Sequence, residues 1–225
     1  MTNLFFLSRG ATCNLYDPDP QTFSKIEVAQ TLATINRWNG HTPFAYSVAE
    51  HSLIVASFVP RRLTLAALIH DAGEAITGDI CRPFRDAFPA LNTICQSWQL
   101  AANTFFQLPP LSDLDASQIA AADDLATVLE ARHLLNQKQW AIKTTTLPDL
   151  ANYPYTPFLF DRFYGRDKYI PRIAEIWTDA VHLATTDTAT PLEPYTSQLA
   201  DRGAMLDSLR NTARALLGFS ADLDV

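Results

Sequence analysis

The stretch Leu63-Thr64-Leu65-Ala66-Ala67-Leu68-Ile69-His70-Asp71-Ala72-Gly73-Glu74-Ala75-Ile76-Thr77-Gly78-Asp79 decides how the chain is read. Its Ala- and Leu-rich start predicts a helix over 63–77 that Gly78 terminates. Three ionisable residues interrupt the apolar face, and their spacing has geometric meaning. Glu74 is four residues after His70 and shares its face, while Asp79 follows a glycine turn that can return it toward that face. A carboxylate buried there without a partner costs several kcal/mol, so the segment calls for a cation or strong hydrogen-bond donors.

Working outward, a helix over Val48–Val59 is capped by Ser47, ended by Pro60, and carries His51 on the stripe of Val48, Ser52, Val55 and Phe58. Before it, Val28, Leu32 and Ile35 predict a helix over Glu27–Trp38, stopped by Asn39-Gly40. After it come Leu91–Gln107, anchored by Phe105 and Phe106, and Ser117–Gln139, whose Ile119, Ala122, Ala126 and Leu129 surround Asp123. Residues 144–169, with three prolines and many aromatics, read as packed irregular chain. Ile170–Ala184 and Gly203–Leu217 are two further helices, the last suited to closing the core or to a subunit contact. Few segments alternate with a period of two, so the fold class is all-α.

The 225 residues suffice for one core that needs no staple. The expected organisation is a core over 1–140, with 141–225 completing or extending the same domain. Hydrophobic residues at 48% and charged residues at 18% exclude disordered and fibrous classes. No apolar run reaches membrane-spanning length, and Leu4-Phe5-Phe6-Leu7 is too short for a signal-peptide core, so a cytoplasmic protein without membrane partners is expected. Cys13, Cys81 and Cys95 lack CxxC spacing, which argues against a thiolate metal site. The net charge of −7 disfavours long nucleic acids, but not a small anion held by a few arginines.

His51, His70-Asp71 and Asp123 sit in three separate helices among apolar or small neighbours. Each residue alone reads as a hydrogen-bonded core residue. As a set, two imidazoles and two carboxylates suit Zn, Mn, Co or Fe and leave coordination positions open for water and substrate. Glu74 and Asp79 beside such a centre can orient water or protonate a leaving group.

This H…HD…D pattern resembles the HD-domain metal-dependent phosphohydrolase superfamily. Ile35-Asn36-Arg37-Trp38-Asn39-Gly40-His41-Thr42, Tyr46-Ser47-Val48-Ala49-Glu50-His51-Ser52, the HDAGEAITGD run from His70 to Asp79, and Ala122-Asp123 with Glu130-Ala131-Arg132 are similar to its 5′-deoxynucleotidase-like branch, which includes phage dATP triphosphohydrolases. The similarity spans about residues 10–140. It implies a helical bundle with a C-terminal helical extension, holding one divalent metal on His51, His70, Asp71 and Asp123, with Glu74 and Asp79 as the catalytic acidic pair. It also implies hydrolysis at the α-phosphorus of a deoxynucleotide, with further Mg or Co ions serving a triphosphate, and a homo-oligomer.

Arg37 and Trp38 match the family's substrate-contacting pair, an arginine fork for phosphate beside an indole face for sugar or base. His41 in the Asn-Gly-His-Thr turn is a further candidate contact, and Arg82, with Arg85 close by, is the nearest cation for distal phosphates. The plain alternatives are a core tryptophan and solvated surface cations. Three functional readings compete: release of triphosphate from dATP-type substrates, 5′-nucleotidase action on monophosphates, and a catalytically silent metal- or nucleotide-binding module. The acidic pair argues against the third, because it costs desolvation without a cation to offset it. Alarmone or cyclic-dinucleotide hydrolysis fits the shared segments less well.

Overall fold

A computed structural model describes residues 4–135 and 166–186, and these are mostly helical. The central element is α2 (Val48–Ser57), with Ser47 as its N-cap; the Ser47 hydroxyl accepts from the Glu50 amide at 3.2 Å. Eight of its ten residues are buried, including Glu50, His51 and Ser52. A helix buried on nearly all sides must be covered by several others. Here α1 (Lys25–Thr34), α3 (Thr64–Leu68), α7 (Asp113–Leu134) and α8 (Arg166–Thr186) all pack against it.

The first helix is shorter than the expected Glu27–Trp38. Ile35 leaves it in an extended conformation (φ −71°, ψ 116°), because the backbone here pairs with the approach to α2. The Arg37 amide donates to the Tyr46 carbonyl at 2.9 Å and the Val48 amide to the Ile35 carbonyl at 3.1 Å. Trp38, Asn39 and Gly40 then all adopt left-handed backbone, with φ of 60°, 50° and 76°. That conformation is costly for a tryptophan, and such strain concentrates at functional sites.

The helix expected over 63–77 is two short ones, α3 and α4 (Glu74–Thr77), joined by a turn at residues 69–73. A glutamine on α6 (Pro89–Phe105) makes this break: the Gln99 amide oxygen accepts from the Gly73 N–H at 2.9 Å, and its nitrogen donates to the Ile69 carbonyl at 2.8 Å. One side chain thus satisfies both ends of the turn that carries His70 and Asp71. Gly73 also lies so close to α6 that a Cβ would come within 2.7 Å of the Gln99 backbone nitrogen. Gly78 ends α4 with φ +75°, as its position predicts.

Helix α6 starts at Pro89, suited to a first helical position whose N–H has no partner, and α7 starts at Asp113 behind the Ser112 cap. Two elements go beyond the sequence expectation: a hairpin of β1 (Leu4–Phe6) and β2 (Thr12–Asn14), and a helix α5 (Arg82–Ala87) where a basic turn is the plain reading. Helix α8 begins before the expected Ile170, and its buried Trp177 donates to the Leu68 carbonyl at 3.1 Å where α3 ends. Its Tyr169 hydroxyl donates to Glu50 at 2.5 Å, closing the N-terminal end of α2. Phe106 is buried and Phe105 packs on the core, as expected. The expected irregular stretch before residue 166 and the helix Gly203–Leu217 lie outside the described residues. No described helix is long and apolar enough to cross a membrane.

Substituting Gly73→Ala tests the close approach. It should destabilise the fold by about 1–3 kcal/mol, as overpacking against rigid backbone does. Denaturant unfolding of the variant beside wild type reads this directly.

Candidate metal centre and its cavity

His51 comes from the middle of α2, His70 and Asp71 from the Gln99-held turn, and Asp123 from the middle of α7. The Nδ1 atom of each histidine is engaged on the side away from the cluster. His70 Nδ1 lies 2.7 Å from the Ala67 carbonyl, which can only accept, so this nitrogen carries the proton. His51 Nδ1 lies 2.5 Å from Glu130 Oε1. Both Nε2 atoms are buried and have no hydrogen-bond partner among the described residues.

These two nitrogens converge on carboxylates. His51 Nε2 is 3.0 Å from Asp123 Oδ1 and 3.8 Å from Asp71 Oδ2. His70 Nε2 is 3.1 Å from Asp71 Oδ2 and 3.9 Å from Asp123 Oδ1. Ligand atoms of His51, His70 and Asp71 lie within 4.8 Å of one another, a group that could hold a metal ion; Asp123 adjoins it through both imidazoles. Inward-facing Nε2 atoms without hydrogen bonds, with each Nδ1 engaged, are what a metal-binding histidine pair requires.

The electrostatics point the same way. Burial opposes a charge on His70, but Asp71 and Asp123 outweigh it and hold the imidazole up to about 9. For His51, burial and Arg37 oppose protonation, and Glu130 and Asp123 overcome them to push it up as well. Burial works against ionisation of Asp71, yet His70 beside it brings its carboxyl down to about 2, and His51 and His70 hold Asp123 lower still. Without a metal the cluster collects protons as its positive charge; a divalent ion held by these side chains would supply that charge in their place.

A cavity of about 310 Å³ opens over this cluster, and Arg37, Trp38, Asp71, Glu74, Asp79 and Asp123 are among the residues that line it. Glu74 has a buried Oε2 with no hydrogen-bond partner among the described residues. Burial first, then Asp71 and Asp79, push its carboxyl well above the usual range. Asp79 is raised too, chiefly by burial. Arg82 reaches the wall from α5, mostly exposed and 3.8 Å from Asp124. His41 is exposed and is not among the cavity's lining residues, so the structure does not bring this candidate to the site.

The residue that sequence reasoning left without a role is Glu130. It is fully buried, and four donors surround it: Arg37 Nε at 3.0 Å, Trp38 Nε1 at 3.0 Å, Tyr46 Oη at 2.9 Å and His51 Nδ1 at 2.5 Å. Despite complete burial, Arg37 and His51 hold its carboxyl below the ordinary value. Its signal in the sequence was its place seven residues after Asp123, two turns along one helix face. Thr127, between them, contacts both Asp123 and Arg37 at 3.4 Å.

The chain belongs to the same family as an uncharacterized protein of Rhodobacter capsulatus, to which it is 35% identical over 136 residues, 56% of this chain and 69% of that protein. It is also similar to the uncharacterized protein YfdR of Escherichia coli K12, 30% identical over 108 residues, 48% of this chain and 59% of that protein. No family model matches the chain.

A histidine raised from its unfolded value of 6.5 to about 9 stabilises the metal-free fold fully below 6.5, and that contribution disappears as pH rises through 9. Raised Glu74 and Asp79 also penalise the fold as they ionise, so their slope has the same sign. The melting temperature of chelator-treated protein should therefore fall between pH 6.5 and pH 9. Added Mn or Co should stabilise the protein increasingly over the same interval, with proton release visible in calorimetry.

Proposed function

We propose that this protein is an HD-type metal-dependent phosphohydrolase that cleaves deoxynucleotides at the α-phosphorus, releasing the deoxynucleoside and phosphate or triphosphate. The observation that carries this reading is the pair of buried Nε2 atoms converging on Asp71 and Asp123 beneath a cavity lined by an acidic pair and an arginine. His51, His70, Asp71 and Asp123 would hold the metal. When bound, a divalent cation lowers the pKa of water and neutralises charge developing on phosphoryl oxygens.

The remaining roles belong to the chain's own side chains. Arg37, 3.7 Å from Asp71 and fixed at Nε by Glu130, stays charged and directs its fork at a phosphate in the cavity. Trp38 supplies an aromatic wall. Glu74, whose carboxyl is raised by burial and by Asp71 and Asp79, is suited to give a proton to the departing 5′ oxygen, with Asp79 orienting the attacking water. Asp71→Ala should then abolish both metal binding and turnover. Glu74→Gln should retain the metal and lower kcat by about 10²–10⁴. Normal turnover in that variant would remove Glu74 from its role.

dATP-type substrates are the primary reading, but the wall's charge favours a second one. Arg37, Arg82 and Arg85 face Asp71, Glu74, Asp79, Asp86, Asp123 and Asp124 across the same cavity. Arg37 is already paired with Glu130, and Arg82 lies near Asp124. With Arg37 and Arg82 engaged, the wall offers little free positive charge, which suits a monophosphate and admits a triphosphate only together with additional divalent ions. Chromatography of products from the Mn- or Co-loaded protein with dAMP, dATP, dGTP and ATP separates the cases. Deoxyadenosine arising directly from dATP marks a triphosphohydrolase, nucleoside from monophosphates alone marks a 5′-nucleotidase, and no product supports a silent binding module.

A further inference from the structure

We propose that Glu130 is the positioning residue of this site, its two oxygens serving different halves: Oε1 orients metal-facing His51, and Oε2 fixes phosphate-facing Arg37 and Trp38. The inference rests on the metal-centre reading above and extends it to a residue outside the ligand set. Oε1 receives Tyr46 Oη and His51 Nδ1, and Oε2 receives Arg37 Nε and Trp38 Nε1. A carboxylate has about four acceptor directions, and all four are used. Because Glu130 accepts from Nδ1, the single proton of the neutral His51 ring sits there and its Nε2 lone pair faces Asp71 and Asp123.

The chemistry of the donors makes the two halves separable. Arg37 and Trp38 can only donate, so in Glu130→Gln the amide oxygen must take the Oε2 place and the NH₂ must face Tyr46 and His51. A hydroxyl can reverse its bond. His51 can do so only by accepting at Nδ1, which moves its proton to Nε2 and removes the lone pair that a metal needs. The variant therefore damages the metal half while leaving the arginine and indole in place. A residue that merely fills space would not produce this split.

The test is nitrogen NMR of ¹⁵N-histidine-labelled full-length protein, metal-free, at a pH above the titration of both rings, together with Co(II) titration followed by its visible absorption. Wild type should carry the His51 proton on Nδ1, and Glu130→Gln should carry it on Nε2. Co(II) affinity should fall about 10–100-fold in Glu130→Gln. At saturating metal, KM for a hydrolysed substrate should stay near wild type. Tyr46→Phe, which leaves the His51 contact intact, should keep wild-type Co(II) affinity.

An Nε2-protonated His51 in wild type would overturn the proposal even if the glutamine variant failed to fold. So would a folded Glu130→Gln with unchanged tautomer and Co(II) binding. Wild type that binds no Co(II) while keeping the Nδ1 tautomer and its glutamine-induced switch would instead sink the metal-centre reading and leave the orienting role of Glu130 standing.

Discussion

A single buried carboxylate holds the site together. Glu130 has no exposure to water, and ionised it would be prohibitively costly there without compensation. Compensation comes from three parts of the chain at once: the entry to the left-handed turn supplies Arg37 and Trp38, the approach to α2 supplies Tyr46, and α2 itself supplies His51. Removing any one of them leaves part of a charge unsatisfied in a low-dielectric interior, where it costs most. The packing of α7 on α2 and the course of the chain between α1 and α2 are therefore tied to the same group that contacts the cluster through His51.

The second constraint is the turn at residues 69–73. A continuous helix would present His70 and Glu74 on one face, the arrangement that the i, i+4 spacing predicts. The observed break lets His70 bond back to the Ala67 carbonyl, brings its Nε2 against Asp71, and starts a new helix at Glu74. Gln99 makes this arrangement affordable to the backbone by satisfying the groups that the lost helical turn leaves open.

Much of this was legible in the sequence, and the boundary is physical. Apolar periodicity located α2, α6, α7 and α8, because burying a stripe is a property of a helix's own residues. The four ligand-type residues were legible for the same reason: ionisable groups among apolar neighbours are conspicuous. What periodicity could not convey is pairing at long range. The early end of α1 depends on hydrogen bonds to residues 46 and 48, and the break after α3 depends on a glutamine 26 residues further on. Glu130 was visible as a letter within the Glu-Ala-Arg run, but its role depends on donors 79 to 93 positions away. His41 shows the converse, since proximity to Trp38 in the chain does not place it among the residues that line the cavity.

Three successive left-handed residues, Trp38 to Gly40, fix the start of the indole, and the bond to Glu130 fixes its far end. A ring held at both ends has little rotamer freedom left to lose, so the entropy of ordering that wall is met during folding rather than on encounter. A molecule that used this face would meet a preformed wall, and its association would be set by diffusion and electrostatics rather than by a closing step of the indole.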